Sequence, residues 1–145
     1  MNDVVGIIAT LCAALFCGAA IYINLVEHPA RMSCGTRLAF TQWAPSYQRA
    51  TVMQASLAVL GALAGVAAWA LGGSSGWLLG ALLIGSVVPF TLLVIMPTNR
   101  RLLAPGRDPD ARDTRALLEA WGRLHAVRSG LSLLATLLYL ALLVR

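Results

Sequence analysis

The sequence is poor in charge, with no lysine, two histidines and six acidic residues in a chain of 145. Charged residues make up 12% of it and hydrophobic residues 59%, whereas soluble domains carry about 25% charged residues. This balance excludes an ordinary soluble globular protein and indicates an integral membrane protein. The length allows one compact bundle, residues 1–145, without a separate soluble domain.

Cysteines are also few, and they are scattered. Cys12 and Cys17 lie within an apolar run, Cys34 lies beyond it, and none of them belongs to a CxxC pair. Such a set provides neither a disulfide framework nor a zinc site. The lack of CxxC also argues against a vitamin K reductase-like role, which needs dithiol chemistry.

All of the basic residues are arginines, and most of them lie between the apolar runs. A net charge of +5 would suit nucleic acid in a soluble protein, but no aromatic residues alternate with a basic stripe. Lipid headgroups and control of topology explain these arginines better. We therefore expect a lipid bilayer around the protein and no nucleic-acid partner.

Four apolar runs are long enough to cross a bilayer, since a hydrocarbon core of about 30 Å needs about 20 helical residues. They are residues 4–26, 51–71, 77–96 and 129–144. Backbone groups in lipid must be hydrogen-bonded within the protein. The predicted fold class is therefore all-α, a four-transmembrane-helix bundle.

The connections between the runs predict its orientation. Residues 72–76 form a short uncharged turn, whereas the two long connections, residues 27–50 and 97–128, are rich in arginine. Both contain amphipathic helical stretches. The positive-inside rule places both in the cytoplasm, with the termini outside, and we expect a bacterial inner membrane.

Polar and aromatic residues gather at the connection end of all four spans. His125 and Arg128 share one face of the last helix with Trp121. Pro29 predicts that the first helix ends or kinks near His28. The candidate site residues are Asn24, Glu27, His28, Trp43, Tyr47, Phe90, Asn99, Trp121, His125 and Arg128. In a short bundle these side chains are expected to converge on one pocket.

These residue types suit proton chemistry. His125 or His28 is a candidate general base, and Glu27 is a candidate to orient the histidine or bind a cation. Arg128 and Asn99 are candidates to stabilise an oxyanion. The substrate-binding candidates are Asn24, Trp43, Tyr47, Phe90 and Trp121.

Other interpretations of the same residues stay open. The two histidines and Glu27 could form a metal triad, although Glu27 and His28 are adjacent and point about 100° apart on a helix. Haem bound through His28 and His125 is also open, whereas the leading prediction has no cofactor. Glu27 could instead simply form an ion pair with Arg31 or Arg128.

Four stretches at this edge of the spans carry a family resemblance. They are Asn24-Leu25-Val26-Glu27-His28-Pro29-Ala30-Arg31, Trp43-x-Pro45-x-Tyr47-x-Arg49-Ala50, Pro89-Phe90-Thr91 running on to Pro97-Thr98-Asn99-Arg100, and Trp121-x-x-Leu124-His125-Ala126-Val127-Arg128. With them the chain resembles the DUF1772 (anthrone oxygenase-like) membrane family over nearly its whole length. The resemblance implies a four-helix membrane protein. It also implies oxidation of anthrones to anthraquinones with O2, as in some fungal members, without an established organic cofactor.

The leading hypothesis is therefore a membrane-embedded oxygenase or oxidoreductase for a lipophilic phenolic or polycyclic, anthrone-like substrate. A histidine would remove a proton, and the resulting carbanion or enolate would react with O2. The alternative is a non-enzymatic membrane module that binds a lipid, a quinone or a partner protein. Association into a homo-oligomer is open in both cases.

Overall fold

The computed structural model describes residues 2–144 and confirms the predicted all-α fold class. The α-helices are α1 (Asn2–Tyr22), α2 (His28–Ser33), α3 (Thr36–Ala70), α4 (Ser75–Phe90), α5 (Met96–Leu102) and α6 (Arg112–Leu143). Single π-helical turns, Ile23–Glu27 and Thr91–Ile95, join α1 to α2 and α4 to α5. The chain therefore forms four continuous rods: α1–α2, α3, α4–α5 and α6.

The four rods form a closed antiparallel bundle. α1 packs against α3 and α6, and α4 packs against the same two helices from the opposite side. Each rod is long and apolar enough to cross a membrane. Short connections join consecutive rods, so that the direction of the chain reverses at each one.

The rods are longer than the predicted spans. Exposed large apolar side chains run from Val4 to Val26 on the first rod and from Val127 to Val144 on the last. On the second and third rods they lie in the corresponding stretches, which include the second π turn, and Leu38 and Leu103 are exceptions outside them. Beyond this apolar band all four rods continue as a projecting end.

The predicted long connections are mostly helical. Between the first two rods only Cys34 and Gly35 are non-helical, and Gly35 has φ +91°, a conformation that favours glycine. The amphipathic residues of the first connection belong to the projecting ends of α2 and α3. Those of the second belong to the first half of α6, which follows a true loop at residues 103–111.

The two π turns each end two residues before a proline. Proline lacks an N–H and crowds the carbonyl four residues earlier, which breaks the regular bonding of a helix. The preceding N–H of His28 bonds to the Ile23 carbonyl, and that of Met96 bonds to the Thr91 carbonyl, in each case five residues back. The first helix therefore continues through Pro29 with a π turn, where an end or a kink near His28 was predicted.

Two apolar cores fill the bundle, one at each level. The core nearer the termini contains Phe16, Ile84 and Tyr139, and the core of the projecting end contains Trp43, Leu118 and Trp121. Buried polar side chains lie at the level between them. This polar layer coincides with the edge of the exposed apolar band.

Candidate functional site

The polar layer draws side chains from the first rod, α3 and α6. Its buried polar members include His28, Arg31, Gln54, His125, Arg128 and Ser132. Leaving such groups unpaired inside a protein costs free energy. The contacts of each group therefore indicate which are tied up by the fold and which are free to serve a ligand.

Asn24 and His125 join the first rod to α6. The Asn24 Oδ1 atom lies 2.7 Å from His125 Nδ1 and accepts a hydrogen bond from Ser129 Oγ at 2.7 Å. The Asn24 Nδ2 atom donates to the carbonyl of Gly122 at 2.9 Å. The three partners recur on one face of α6. Asn24 was predicted to bind substrate, but both of its side-chain polar atoms contact α6.

Arg128 is buried without a carboxylate partner among the described residues. Its Nη2 atom donates to Gln54 Oε1 at 2.8 Å, and its guanidinium carbon lies 5.3 Å from the centre of the Phe16 ring. The Nε atom of Arg128 and the Nε2 atom of Gln54 have no hydrogen-bond partner in the part of the chain that the structure describes. Two buried N–H donors are therefore left unpaired at the level of the polar layer.

An apolar cavity of about 100 Å³, partly open to the outside, has Arg128 and Gln54 in its wall. We call it the Arg128 cavity. Its walls are Phe16, Tyr47, Thr51, Gln54, Ala55, Ala58, Val87, Val88, Thr91, Leu92, Met96 and Arg128. Ala55 and Leu92 are exposed on the outer surface of α3 and of the third rod, so the cavity opens sideways within the apolar band.

A smaller cavity of about 10 Å³ lies next to it and is lined in part by His125. We call it the His125 cavity. Tyr47, Thr51, Gln54 and Arg128 line both cavities and form the wall between them. Trp121 and Arg31 line the His125 cavity alone. The predicted residues Tyr47, Trp121, His125 and Arg128 are therefore brought together at one place.

His28 faces a different space. It lines an open groove between the first rod and α6 with Arg115, Glu119 and Arg123. Its ring centre lies 5.2 Å from that of Trp121, and the ring of His125 lies 4.8 Å from Trp121. The two histidines line separate cavities, so the single pocket predicted for them is not what the structure shows.

Glu27 is tied into the packing of the first rod against α3. Its Oε1 atom accepts hydrogen bonds from Arg31 at 2.5 Å, from Gln42 at 2.9 Å and from Ser46 at 2.8 Å. This arrangement matches the ion pair with Arg31 that the sequence left open. The described residues contain no group of three metal-ligating side chains, so Glu27 and the two histidines do not form a triad.

The remaining predicted residues lie in the core of the projecting end. Trp43 is fully buried there and stacks on Tyr47 at 5.0 Å, and Phe90 packs against the same core. Asn99 is fully buried with both side-chain polar atoms unpaired. These three residues do not line the Arg128 cavity or the His125 cavity.

Several residues of the site were not among the candidates predicted from the sequence, above all Gln54 and Ser129. A signal for Gln54 was present, because a polar side chain inside an apolar span is costly and usually has a purpose. Phe16 carries no such signal, since it looks like any apolar residue of the first span.

Two comparisons with known proteins identify relatives of this chain. The family model described as anthrone oxygenase matches residues 43–138. The chain is also 43% identical over 63 residues to the anthrone oxygenase tpcL of Aspergillus fumigatus. That alignment covers 41% of this chain and 39% of the fungal protein.

No solved structure matches this chain. The family match contains Gln54, His125 and Arg128 and ends within the last rod. It spans well over half of the sequence, and it confirms the resemblance identified from the sequence motifs. The chain therefore belongs to the anthrone oxygenase family.

Proposed function

We propose that this protein is a membrane-embedded oxygenase that oxidises an anthrone-like substrate held in the Arg128 cavity. The observation that carries the proposal is the buried Arg128, which has no carboxylate partner within residues 2–144 and lines an apolar cavity. Burying an unpaired ion costs several kcal/mol. An anionic ligand with an apolar body, such as the enolate of a polycyclic ketone, would offset that cost.

His125 is the proposed general base. Its Nδ1 atom is bonded to Asn24, which leaves Nε2 to take a proton. His125 and Arg128 are three residues apart on α6, so their Cβ atoms are neighbours, about 5–6 Å apart. An anthrone carries its ketone and its acidic CH2 opposite each other on the central ring. We propose that one bound ring presents its oxygen to Arg128 and its CH2 to His125 across the wall that the two cavities share.

The proposed reaction needs no external reductant. His125 removes a proton from the CH2 group, and Arg128 with the free Gln54 amide stabilises the enolate oxygen. O2 then adds to the carbanion carbon and gives a hydroperoxide after protonation. Loss of water forms the second carbonyl, so that one oxygen atom enters the product and the other leaves as water.

The wall between the two cavities supports one way of binding the substrate. Gln54 and Tyr47 line both cavities, and we propose that Gln54 turns from its contact with Arg128 as the oxyanion takes its place. The free amide donor then faces the same oxygen. The apolar walls of the Arg128 cavity hold the rings by burial of apolar surface.

The test measures anthrone oxidation by the purified protein in lipid nanodiscs, from anthraquinone absorbance and O2 uptake above a protein-free control. We expect His125→Gln to lower kcat by about 100-fold or more, the usual contribution of a general base. His28→Gln is the matched variant and keeps kcat largely unchanged, because His28 lines a separate groove. Undiminished oxidation by His125→Gln would overturn the assignment.

We further propose that the protein lies in a bacterial inner membrane with its termini outside and its arginine-rich end in the cytoplasm. The projecting end of the bundle carries most of the arginines, in line with the positive-inside rule. The Arg128 cavity would then lie near the cytoplasmic surface of the bilayer and receive its lipophilic substrate from the membrane.

A further inference from the structure

We infer that Asn24 is the positioning residue that sets the tautomer of His125 and makes Nε2 the basic nitrogen. The inference rests on the proposed function for its catalytic consequence, but the tautomer itself can be measured without any substrate. Asn24 lies in the first π turn and outside the matched segment of residues 43–138.

The direction of each hydrogen bond follows from the partners of Asn24. The carbonyl of Gly122 only accepts, so the group that faces it at 2.9 Å must be the amide nitrogen of Asn24. The amide oxygen therefore faces α6 on its other side, where it accepts from Ser129 Oγ. The carbonyl of Gly122 thus fixes which way the amide of Asn24 points.

The amide oxygen can only accept, and it lies 2.7 Å from His125 Nδ1. His125 must therefore donate from Nδ1. A neutral imidazole carries one proton, so its Nε2 atom has the free lone pair. The bond made by one ring nitrogen sets the protonation of the other, and here that bond comes from a different rod.

The local fold explains why Asn24 reaches α6. The π turn widens the first rod two residues before Pro29, and such turns are frequent at functional sites. Gly122 leaves room beside it, since a Cβ atom there would lie 2.7 Å from the His28 ring. The first rod and α6 can thus approach closely at the level of His125.

Asn24 lines neither the Arg128 cavity nor the His125 cavity. Its effect on the reaction would pass through His125, and loss of the bond would leave the imidazole free to rotate and to exchange tautomers. A histidine with its proton on Nε2 cannot accept a proton there. We therefore expect the loss of Asn24 to reduce kcat more than it changes KM.

The experiment is nitrogen NMR of the full chain labelled with 15N-histidine in lipid nanodiscs. The protein has two histidines, so His28→Gln assigns the signals of His125. We expect the wild-type signals to show a protonated Nδ1 and an unprotonated Nε2. An Nε2-protonated His125 in the wild type would overturn the inference, whatever the activity.

Two variants complete the test. Asn24→Leu should convert His125 to a mixture of tautomers and lower kcat by about tenfold or more. Asn24→Asp loses the donor to the Gly122 carbonyl and should lower stability, but it keeps an acceptor for Nδ1, so it should keep the tautomer and rescue part of kcat. Ser129→Ala is the matched variant, because it removes the other donor to Asn24 and leaves the His125 tautomer unchanged.

The outcomes separate this inference from the proposed function. An unchanged tautomer in folded Asn24→Leu protein would contradict the role of Asn24 even if anthrone is oxidised. The expected tautomer in a wild-type protein without oxygenase activity would instead support the role and contradict the proposed function. If Asn24→Leu does not fold, the wild-type signals and the Asn24→Asp variant still decide the matter.

Discussion

The Nη2 atom of Arg128 donates a hydrogen bond of 2.8 Å to Gln54 Oε1, where an apolar cavity meets the polar layer of the bundle. The amide oxygen of Gln54 takes one of the guanidinium donors, but it does not neutralise the charge. Each residue keeps one buried polar nitrogen that has no partner among the described residues. Unpaired buried donors are costly, and the proposed oxyanion would offset part of that cost.

The first prediction concerns the charge of Arg128. Arg128→Gln should lower kcat/KM for anthrone by about 100-fold or more, as the loss of an oxyanion-stabilising donor does elsewhere. Arg128→Lys should recover only part of it, because an ammonium group lacks the planar fork of a guanidinium. The measurement is anthraquinone formation by purified variants at several substrate concentrations.

Arg112→Gln is the control for Arg128→Gln. It removes the same single positive charge, but from an exposed position at the start of α6. We expect its kcat/KM to equal that of the wild type. An equal loss in the two variants would show that only the net charge matters and would contradict a local role for Arg128.

Part of this site could be predicted from the sequence. Trp121, His125 and Arg128 share a face because a straight helix repeats every 3.6 residues, and α6 contains no proline that disturbs this spacing. The same reasoning failed on the first rod. The π turn before Pro29 shifts the faces of the helix there, and His28 lies outside the cavity that contains His125.

The sequence also did not predict which buried polar side chains contact each other. A lone glutamine in an apolar span shows that a polar contact is present, but not that Arg128 provides it. The positions of Trp43, Phe90 and Asn99 depend on how the projecting end packs, and this end is a second core that hydropathy alone does not predict. Membrane spans, by contrast, follow directly from composition.

The second prediction concerns the side opening of the Arg128 cavity. Ala55 lines the cavity and is exposed on the outer surface of α3, so Ala55→Trp places a large ring across the opening. We expect kcat/KM for anthrone to fall while the thermal midpoint of the protein stays close to that of the wild type.

The matched control is Val59→Trp, one helical turn further along α3. Val59 is exposed and is not part of the cavity wall. Its activity should be retained. Equal activity of the Ala55 and Val59 variants would mean that the substrate enters by another route.

The third prediction concerns the packing of the core nearer the termini. A Cβ atom on Gly80 would overlap the ring of Tyr139, which stacks on Trp77 at 5.2 Å. Gly80→Ala should therefore destabilise the bundle by about 1–3 kcal/mol, the usual cost of overpacking. Gly18→Ala is the control: a Cβ atom there meets nothing within 4 Å, and alanine favours a helix by about 0.5–1 kcal/mol. Thermal unfolding in detergent measures both, and a Gly80→Ala protein as stable as Gly18→Ala would contradict this packing.

The fourth prediction concerns orientation in the membrane, and the chain provides its own probe. Cys34 is exposed in the turn between the first two rods, at the arginine-rich end, whereas Cys17 is buried. With that end in the cytoplasm, a membrane-impermeant maleimide should leave Cys34 unlabelled in intact cells. It should label Cys34 in inverted membrane vesicles.

The turn at the opposite end of the bundle supplies the matched variant. Ser74 is exposed between α3 and α4, so Ser74→Cys in a Cys34→Ser background should react in intact cells and be protected in inverted vesicles. The Cys34→Ser protein alone defines the background from Cys12 and Cys17. Labelling of Cys34 in intact cells would contradict the proposed orientation. The arginine-rich end would then face outward, against the positive-inside rule. The Arg128 cavity would in that case open near the outer surface of the bilayer, and its substrate would have to arrive from that side.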